Sequence, residues 1–403
     1  MHCCGAFLIS FLAAGNAAVA LPASGINGDN ASIKAVHNKA FRPNGPAALA
    51  KAYRKFNSTV PQDVVSAVAR HNKRTTGSVV ATPQQYDSEY LCPVQIGRPA
   101  QTLYLDFDTG SSDLWVFSTQ TPRSEVHGQA LYSPGSSSTA RLLQGETWSI
   151  TYGDRSSSSG DVYSDIVTVG GLSVSGQAVE SAEQVSAQFS NGPSSGLLGL
   201  AFSSLNTVAP DKQKTFFDNA SRNLNSALFT ANLRHNADGT YNFGYVDSSE
   251  HTGSITYTAV DNSQGFWSWT STGYAVGNGQ LNDHYITGIA DTGTTLLLLD
   301  DSTVNDYYSQ VSGAAYDSSQ GGYTFPCRAS LPSFTFGVEY SSITIPGSFM
   351  KYAPTDDSGV TCFGGLQSSS GIGINIFGDI ALRAALVVFD GGNLRLGWAS
   401  KSV

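Results

Sequence analysis

The chain reads as an all-β protein with two related lobes, and three observations lead there. From residue 75 onward it runs in short stretches rich in Val, Ile, Thr, Tyr and Phe. Gly, Ser, Asn and Asp break these stretches about every eight to twelve residues, which is the texture of strands and tight turns. At 403 residues it is longer than one hydrophobic core usually supports. Finally, Asp108-Thr109-Gly110-Ser111-Ser112 returns as Asp291-Thr292-Gly293-Thr294-Thr295, each copy between two apolar runs. Average composition would give two chance copies of Asp-Thr-Gly in roughly one chain of this length in three hundred. Matching contexts on both sides make duplication the better explanation.

Taken in order, residues 1–20 carry no Lys, Arg, Asp or Glu. Ala6–Ala14 has the length of a signal-peptide core, and Ala18-Val19-Ala20 offers small residues for cleavage. The usual positive start is missing, and an N-terminal core helix is the alternative. Residues 21–74 hold nine Lys/Arg against two Asp/Glu, a charge of +7, while residues 75–403 carry −16. A basic leader beside an acidic body points to two parts that attract each other. The leader contains a helical stretch at 45–56 and another at 64–70. It ends at Lys73-Arg74, a dibasic pair suited to a processing protease, so 21–74 reads as a pro-segment. An acidic body argues against nucleic-acid binding. No later run has the length of a membrane span.

In the body, Thr147–Tyr152, Ile166–Val169 and residues 254–258 read as strands. Residues 211–224 and 300–311 read as helices. Gly196-Leu197-Leu198-Gly199 and Asn375-Ile376-Phe377-Gly378 are a second, fainter echo, each downstream of one Asp-Thr-Gly. The halves should join near residues 246–250, giving lobes 75–249 and 250–403. Cys327 and Cys362 are the expected disulfide, in keeping with an oxidising compartment. Cys92, in a strand-like run, reads as a small buried apolar residue. No Cys/His group has zinc spacing, and nothing calls for a metal or other cofactor.

The repeated motif allows specific chemistry. Two carboxylates from the duplicated halves would meet at the seam between lobes. Held close, they cannot both be ionised, so they share a proton and their pKa values split. One can then accept a proton from water while the other donates to a carbonyl oxygen. Gly110 and Gly293 let the backbone turn beside the carboxylates, and Thr109, Thr292, Ser111 and Thr294 supply hydroxyls to hold them.

On these motifs, with Thr147–Asp154, Asp261–Trp267 and Ile376-Phe377-Gly378-Asp379, residues 75–403 resemble the pepsin-family aspartic endopeptidases, most nearly the secreted fungal penicillopepsin/aspergillopepsin group. The resemblance implies a bilobal pepsin-like fold, two pseudo-twofold-related β lobes with the cleft between them. It makes Asp108 and Asp291 the catalytic pair, Thr109 and Thr292 the brace between loops, and Ser111 and Thr294 the partners of the outer carboxylate oxygens. Tyr152, Gly153 and Asp154 would form a flap over the cleft, with Trp115 beneath it and Phe189 and Leu197 lining the pocket before the scissile bond. An acid at Asp154 goes with acceptance of Lys in that pocket. Arg155, where relatives usually have Gly, departs from the pattern and would weaken that preference by pairing with Asp154. A lysine of the pro-segment would sit between the aspartates: Lys55, or alternatively Lys51.

The implied protein is a secreted, extracellular, monomeric acid endopeptidase made as a zymogen, acting on protein and peptide substrates between bulky apolar residues. Asn219-Ala220-Ser221 is the body's one glycosylation acceptor. The rival is a catalytically dead relative kept as a binding or inhibitor module. Loss of an Asp or of the flap Tyr would mark it, and both Asp residues and Tyr152 are present. A serine or metallohydrolase lacks support, since there is neither a Gly-x-Ser-x-Gly elbow nor a His-Glu-x-x-His motif.

Overall fold

A computed structural model describes residues 30–37, 43–74, 90–151, 157–190 and 192–403. The expected signal peptide and the hairpin-tip residues Tyr152, Gly153, Asp154 and Arg155 lie outside them. The architecture is mostly β, as the alternating texture requires. Strands β2 (Tyr90–Ile96), β3 (Gln101–Asp108), β4 (Leu114–Phe117), β5 (Arg141–Thr151), β6 (Ser157–Val169), β7 (Leu172–Val185) and β8 (Gly196–Gly199) build the first lobe. β9 (Leu228–Arg234) and β10 (Ala237–Phe243) join Ala385–Asp390 and Arg395–Ser400 in a central floor.

The duplication is visible in the strand register. β3 runs parallel to β8, pairing Phe107 with Leu198 and Asp108 with Gly199, and β8 then pairs antiparallel with β4. In the second lobe Ile286–Ala290 runs parallel to Asn375–Phe377, pairing Ala290 with Phe377, and Asn375–Phe377 pairs antiparallel with Leu297–Leu299. Each Asp-Thr-Gly turn therefore leaves its strand at the same place in the same three-stranded unit. The fainter echo, Gly196–Gly199 and Asn375–Gly378, supplies the middle strand of both.

Residues 31–37 form a strand, β1 (Ala31–His37), that the sequence reading did not anticipate. It lies antiparallel between β10 and β2 and so joins the first-lobe sheet to the central floor. Its alternation is plain in hindsight: Ala31, Ile33 and Ala35 are buried, while Ser32 and Lys34 are exposed. The positive charge of the surrounding segment hid it. Two helices follow. α1 (Gly45–Lys55) starts at Asn44, whose side chain accepts from Ala47 N–H at 3.0 Å. α2 spans Gln62–Arg74. Leu49, Tyr53, Val60 and Val64 bury against Ile289, Leu296, Leu298, Phe363 and Ile376 of the second lobe. Each large apolar side chain so covered contributes about 1.5–3 kcal/mol.

The expected helix at 211–224 is shorter. It begins only at Phe216, where Thr215 caps it by accepting from Asp218 N–H at 3.1 Å, and it ends at Ala220. The helix at 300–311 occupies Asp301–Ser309 behind the Asp300 cap. Cys327 and Cys362 form a disulfide, and Cys92 is buried as a free thiol. No described helix is long and apolar enough to cross a membrane. Among the described residues no group of His, Cys, Asp and Glu could hold a metal ion.

Candidate active site

Two turns meet where the lobes touch. Thr109 Oγ1 donates to Ala290 O at 2.9 Å, and Thr292 Oγ1 donates to Phe107 O at 2.6 Å. Each hydroxyl also accepts the N–H of the opposite threonine at 3.0 Å. These four bonds tie the turns together, and the carboxylates beside them have almost no exposure, 1% for Asp108 and none for Asp291. Gly110 N–H donates to Asp108 Oδ1 at 2.8 Å and Gly293 N–H to Asp291 Oδ1 at 3.0 Å. Glycine is required at both places by approach alone: a Cβ on Gly110 would stand 2.5 Å from Asp291 Oδ1, and one on Gly293 would collide with Asp108.

The outer oxygens differ. Ser111 Oγ donates to Asp108 Oδ2 at 2.6 Å, as expected. The Thr294 hydroxyl is buried beside Asp291 and favours its charged form, though it falls outside strict hydrogen-bond geometry; Asp291 Oδ2 also accepts from Lys55 Nζ at 2.9 Å.

Lys55, at the end of α1, places its ammonium between the two acids, 2.6 Å from Asp108 Oδ1 and 2.7 Å from Asp291 Oδ1. Lys51, one turn earlier on the same face, lies 3.8 Å from Asp106 and not at the pair. Burial works against the charge on Lys55, yet the two carboxylates and their hydrogen bonds outweigh it and hold the ammonium above the ordinary lysine range. Burial also pushes Asp108 up, but Lys55, Ser111 and the Gly110 N–H together bring it below the ordinary carboxylate value. Asp291 stays above that value, because burial and the charge on Asp108 exceed what Lys55 returns. The two acids are split, with Asp108 the stronger.

Beside the pair is a cavity of about 210 Å³ with Ile150, Phe189, Leu197, Leu205 and Phe266 in its walls and Asp106 among its polar lining. The two apolar pocket residues expected from the sequence, Phe189 and Leu197, are therefore both there. Trp115 stacks on Trp148 at 6.0 Å and meets the edge of Phe189 at 5.4 Å. Asp106, which the sequence reading passed over, is buried two residues before Asp108; a charged residue inside the apolar run 103–107 was its one signal. Asn219, the expected glycan acceptor, sits half-buried in the short helix, its amide donating to Gln177 Oε1 at 2.8 Å.

Two braced acids at the junction of like-folded lobes define an aspartic peptidase. The comparisons agree. The family described as eukaryotic aspartyl protease matches residues 89–401. Endothiapepsin of Cryphonectria parasitica is 58% identical over 92% of this chain and 90% of its own length. Aspergillopepsin-1 of Aspergillus pseudoglaucus is 57% identical over 89% of both chains, and penicillopepsin-3 of Penicillium janthinellum 50% identical over 97% and 98%. Among solved structures, the aspartic proteinase of Irpex lacteus superposes with a TM-score of 0.64 at 26% identity, covering 78% of this chain and 94% of its own. The chain belongs to the pepsin family of aspartic proteases and is an aspartic endopeptidase.

Proposed function

We propose that the protein is a secreted acid endopeptidase, made as a precursor whose residues 21–74 block its own cleft. With those residues gone, Asp108 and Asp291 share one proton and bind a water between them. The ionised member takes a proton from that water as it attacks the peptide carbonyl, and the protonated member donates to the carbonyl oxygen. Thr109 and Thr292 keep the acids in place, and Tyr152, Gly153 and Asp154 close over the substrate. Phe189, Leu197 and Ile150 favour a bulky apolar side chain before the scissile bond. The Lys51–Asp106 pair in the same cavity supports acceptance of lysine there as well. The relatives named endothiapepsin, aspergillopepsin-1 and penicillopepsin-3 all come from fungi.

One observation carries the precursor reading: a single ammonium from the N-terminal segment is within 2.7 Å of both acids. With Lys55 in place the pair needs no shared proton; after it leaves, the pair takes one up. Release is therefore favoured by acid. Asp108 gives the same sign. Its depressed carboxylate supports docking above the ordinary value, and that support is lost as pH falls through the depressed one. Asp291 is raised by burial and by the charge on Asp108, while Lys55 lowers it, so its ionised form also favours docking and that support is lost as Asp291 takes its proton on acidification. Lys55 stays charged throughout. Purified full-length chain brought stepwise from pH 7 to pH 3 should shorten at its N-terminus and begin to cleave peptides, with inhibition by a statine peptide but not by a chelator. A chain that stays intact and folded at acid pH would overturn self-release.

A further inference from the structure

Behind the Asp108 turn is a second pair of buried acids that the reaction does not use. Asp113 is 3% exposed and Glu180, on β7, 1%. Asn206 reaches both, its Nδ2 donating to Asp113 Oδ1 and to Glu180 Oε1 at 2.9 Å each. Thr207 adds its N–H at 2.8 Å and its hydroxyl at 3.0 Å, both to Asp113 Oδ1. Glu180 Oε2 is buried with no donor directed at it. On the strands flanking Glu180, the residues directly opposite are Trp115 and Val162, both apolar and buried. The charge nearest on the 203–214 loop is Lys212, on Asp113's side, whose exposed ammonium is spent on Ser204 O. Asp113 also borders the cleft cavity, where Lys51, Arg54 and Lys55 face Asp106 and Asp108. No cation is bonded to either acid among the described residues.

Two anions here would face one amide and no counter-charge. A proton on Glu180 Oε2, donated to Asp113, accounts for the orphan oxygen and leaves one negative charge for Asn206 and Thr207 to hold. We propose that Asp113 and Glu180 share one proton, and that this proton fixes the Asp108 turn from behind, so that its loss to solvent as pH rises disarms the enzyme without touching the catalytic pair. The connection to the turn is direct. Asn206 Nδ2 also reaches Ser112 O at 3.3 Å, Gly199 N–H donates to Asp113 O at 2.9 Å, and Leu200 N–H donates to Asp108 O at 2.7 Å. Asp113 and Glu180 are thus positioning residues.

Burial, and then the neighbouring acid, raise Glu180 well above the ordinary glutamate value, and burial raises Asp113. For a raised carboxylate, stability is fully present below the unfolded value and is lost as pH climbs through the folded one. The folding equilibrium should fall by up to about tenfold per pH unit across that window. The test uses the full-length chain carrying Asp291→Asn, so that self-cleavage does not confuse a scan from pH 4 to pH 8. Adding Glu180→Gln should flatten the decline. Unfolding at pH 7 should slow by roughly tenfold or more, while pH 4 stability and, in the chain with Asp291 intact, acid activity stay within about threefold. Glu180→Ala, which strands the Asn206 amide, should destabilise at every pH. An unchanged slope in Glu180→Gln, or an equal loss at pH 4 and pH 7, would overturn the proposal. Should that variant fail to fold, infrared spectroscopy of the Asp291→Asn chain decides. A protonated-carboxyl band must persist above the ordinary carboxylate range and vanish together with tertiary structure; its absence would refute the shared proton.

Discussion

Five residues beyond Asp108 stands Asp113, and five beyond Asp291 stands Leu296. The strand units are the same, yet one turn rests on a polar network and the other on an apolar seat. Leu296 is fully buried among Leu298, Phe363 and Ile376, with Leu49 and Tyr53 of the N-terminal segment in the same cluster. Asp113 is buried among Glu180, Asn206 and Thr207. The side chains touching the acids differ in the same sense. Ser111 bonds Asp108 at 2.6 Å, whereas Thr294 stands beside Asp291 outside strict hydrogen-bond geometry. Duplication sets where the acids stand; with Lys55 between them, Asp108 is the stronger acid and Asp291 the weaker.

The comparison can be broken most completely at the acids themselves. Asp108→Asn or Asp291→Asn should each reduce peptide hydrolysis at least about a thousandfold, with circular dichroism unchanged. A variant digesting protein at the parental rate would remove the basis of the account. Next comes Lys55→Met. Taking one partner from a buried ion pair costs about 3–5 kcal/mol, so the N-terminal segment should release at higher pH than in the parent, read as earlier self-shortening. Lys51→Met should do much less, given its longer 3.8 Å separation from Asp106. Ser111→Ala then sharpens the contrast between turns. Losing a hydrogen bond to a charged group costs about 1.5–3 kcal/mol, so the acid limb of the pH–rate profile should move up and kcat should fall on the order of tenfold. Thr294→Val, removing a hydroxyl outside strict hydrogen-bond geometry to Asp291, should change the stability of the full-length chain less than Ser111→Ala does. Phe189→Ala should have the smallest effect on kcat, raising KM for substrates with a large apolar residue before the cut while sparing those with a small one.

How much of this could be read from the residues depended on distance along the chain. Asp108 with Ser111, and the tight turns at Gly110 and Gly293, are local, and their spacing is enough to identify them. The cross-brace between Thr109 and Thr292 spans 183 residues and was readable only because the motif occurs twice. Asp113 and Glu180 are remote and unrepeated, so nothing local marks them as a pair. Lys51 and Lys55 share one helix face, and composition could not choose between them; the position of α1 over the cleft does. The overlong helix at 211–224 erred because apolar spacing around Phe216 says little about where Thr215 will cap.

β1 adds a condition on any maturation that removes residues 21–74. The departing piece is an interior rung of a ladder, hydrogen-bonded on both sides, and not merely a stopper in a groove. Pulling it out would leave β10 and β2 as raw edges, the kind that recruit other chains and aggregate. A cut after Arg74 therefore starts an exchange, and the exchange is complete only when some other length of polypeptide has moved into the vacated lane.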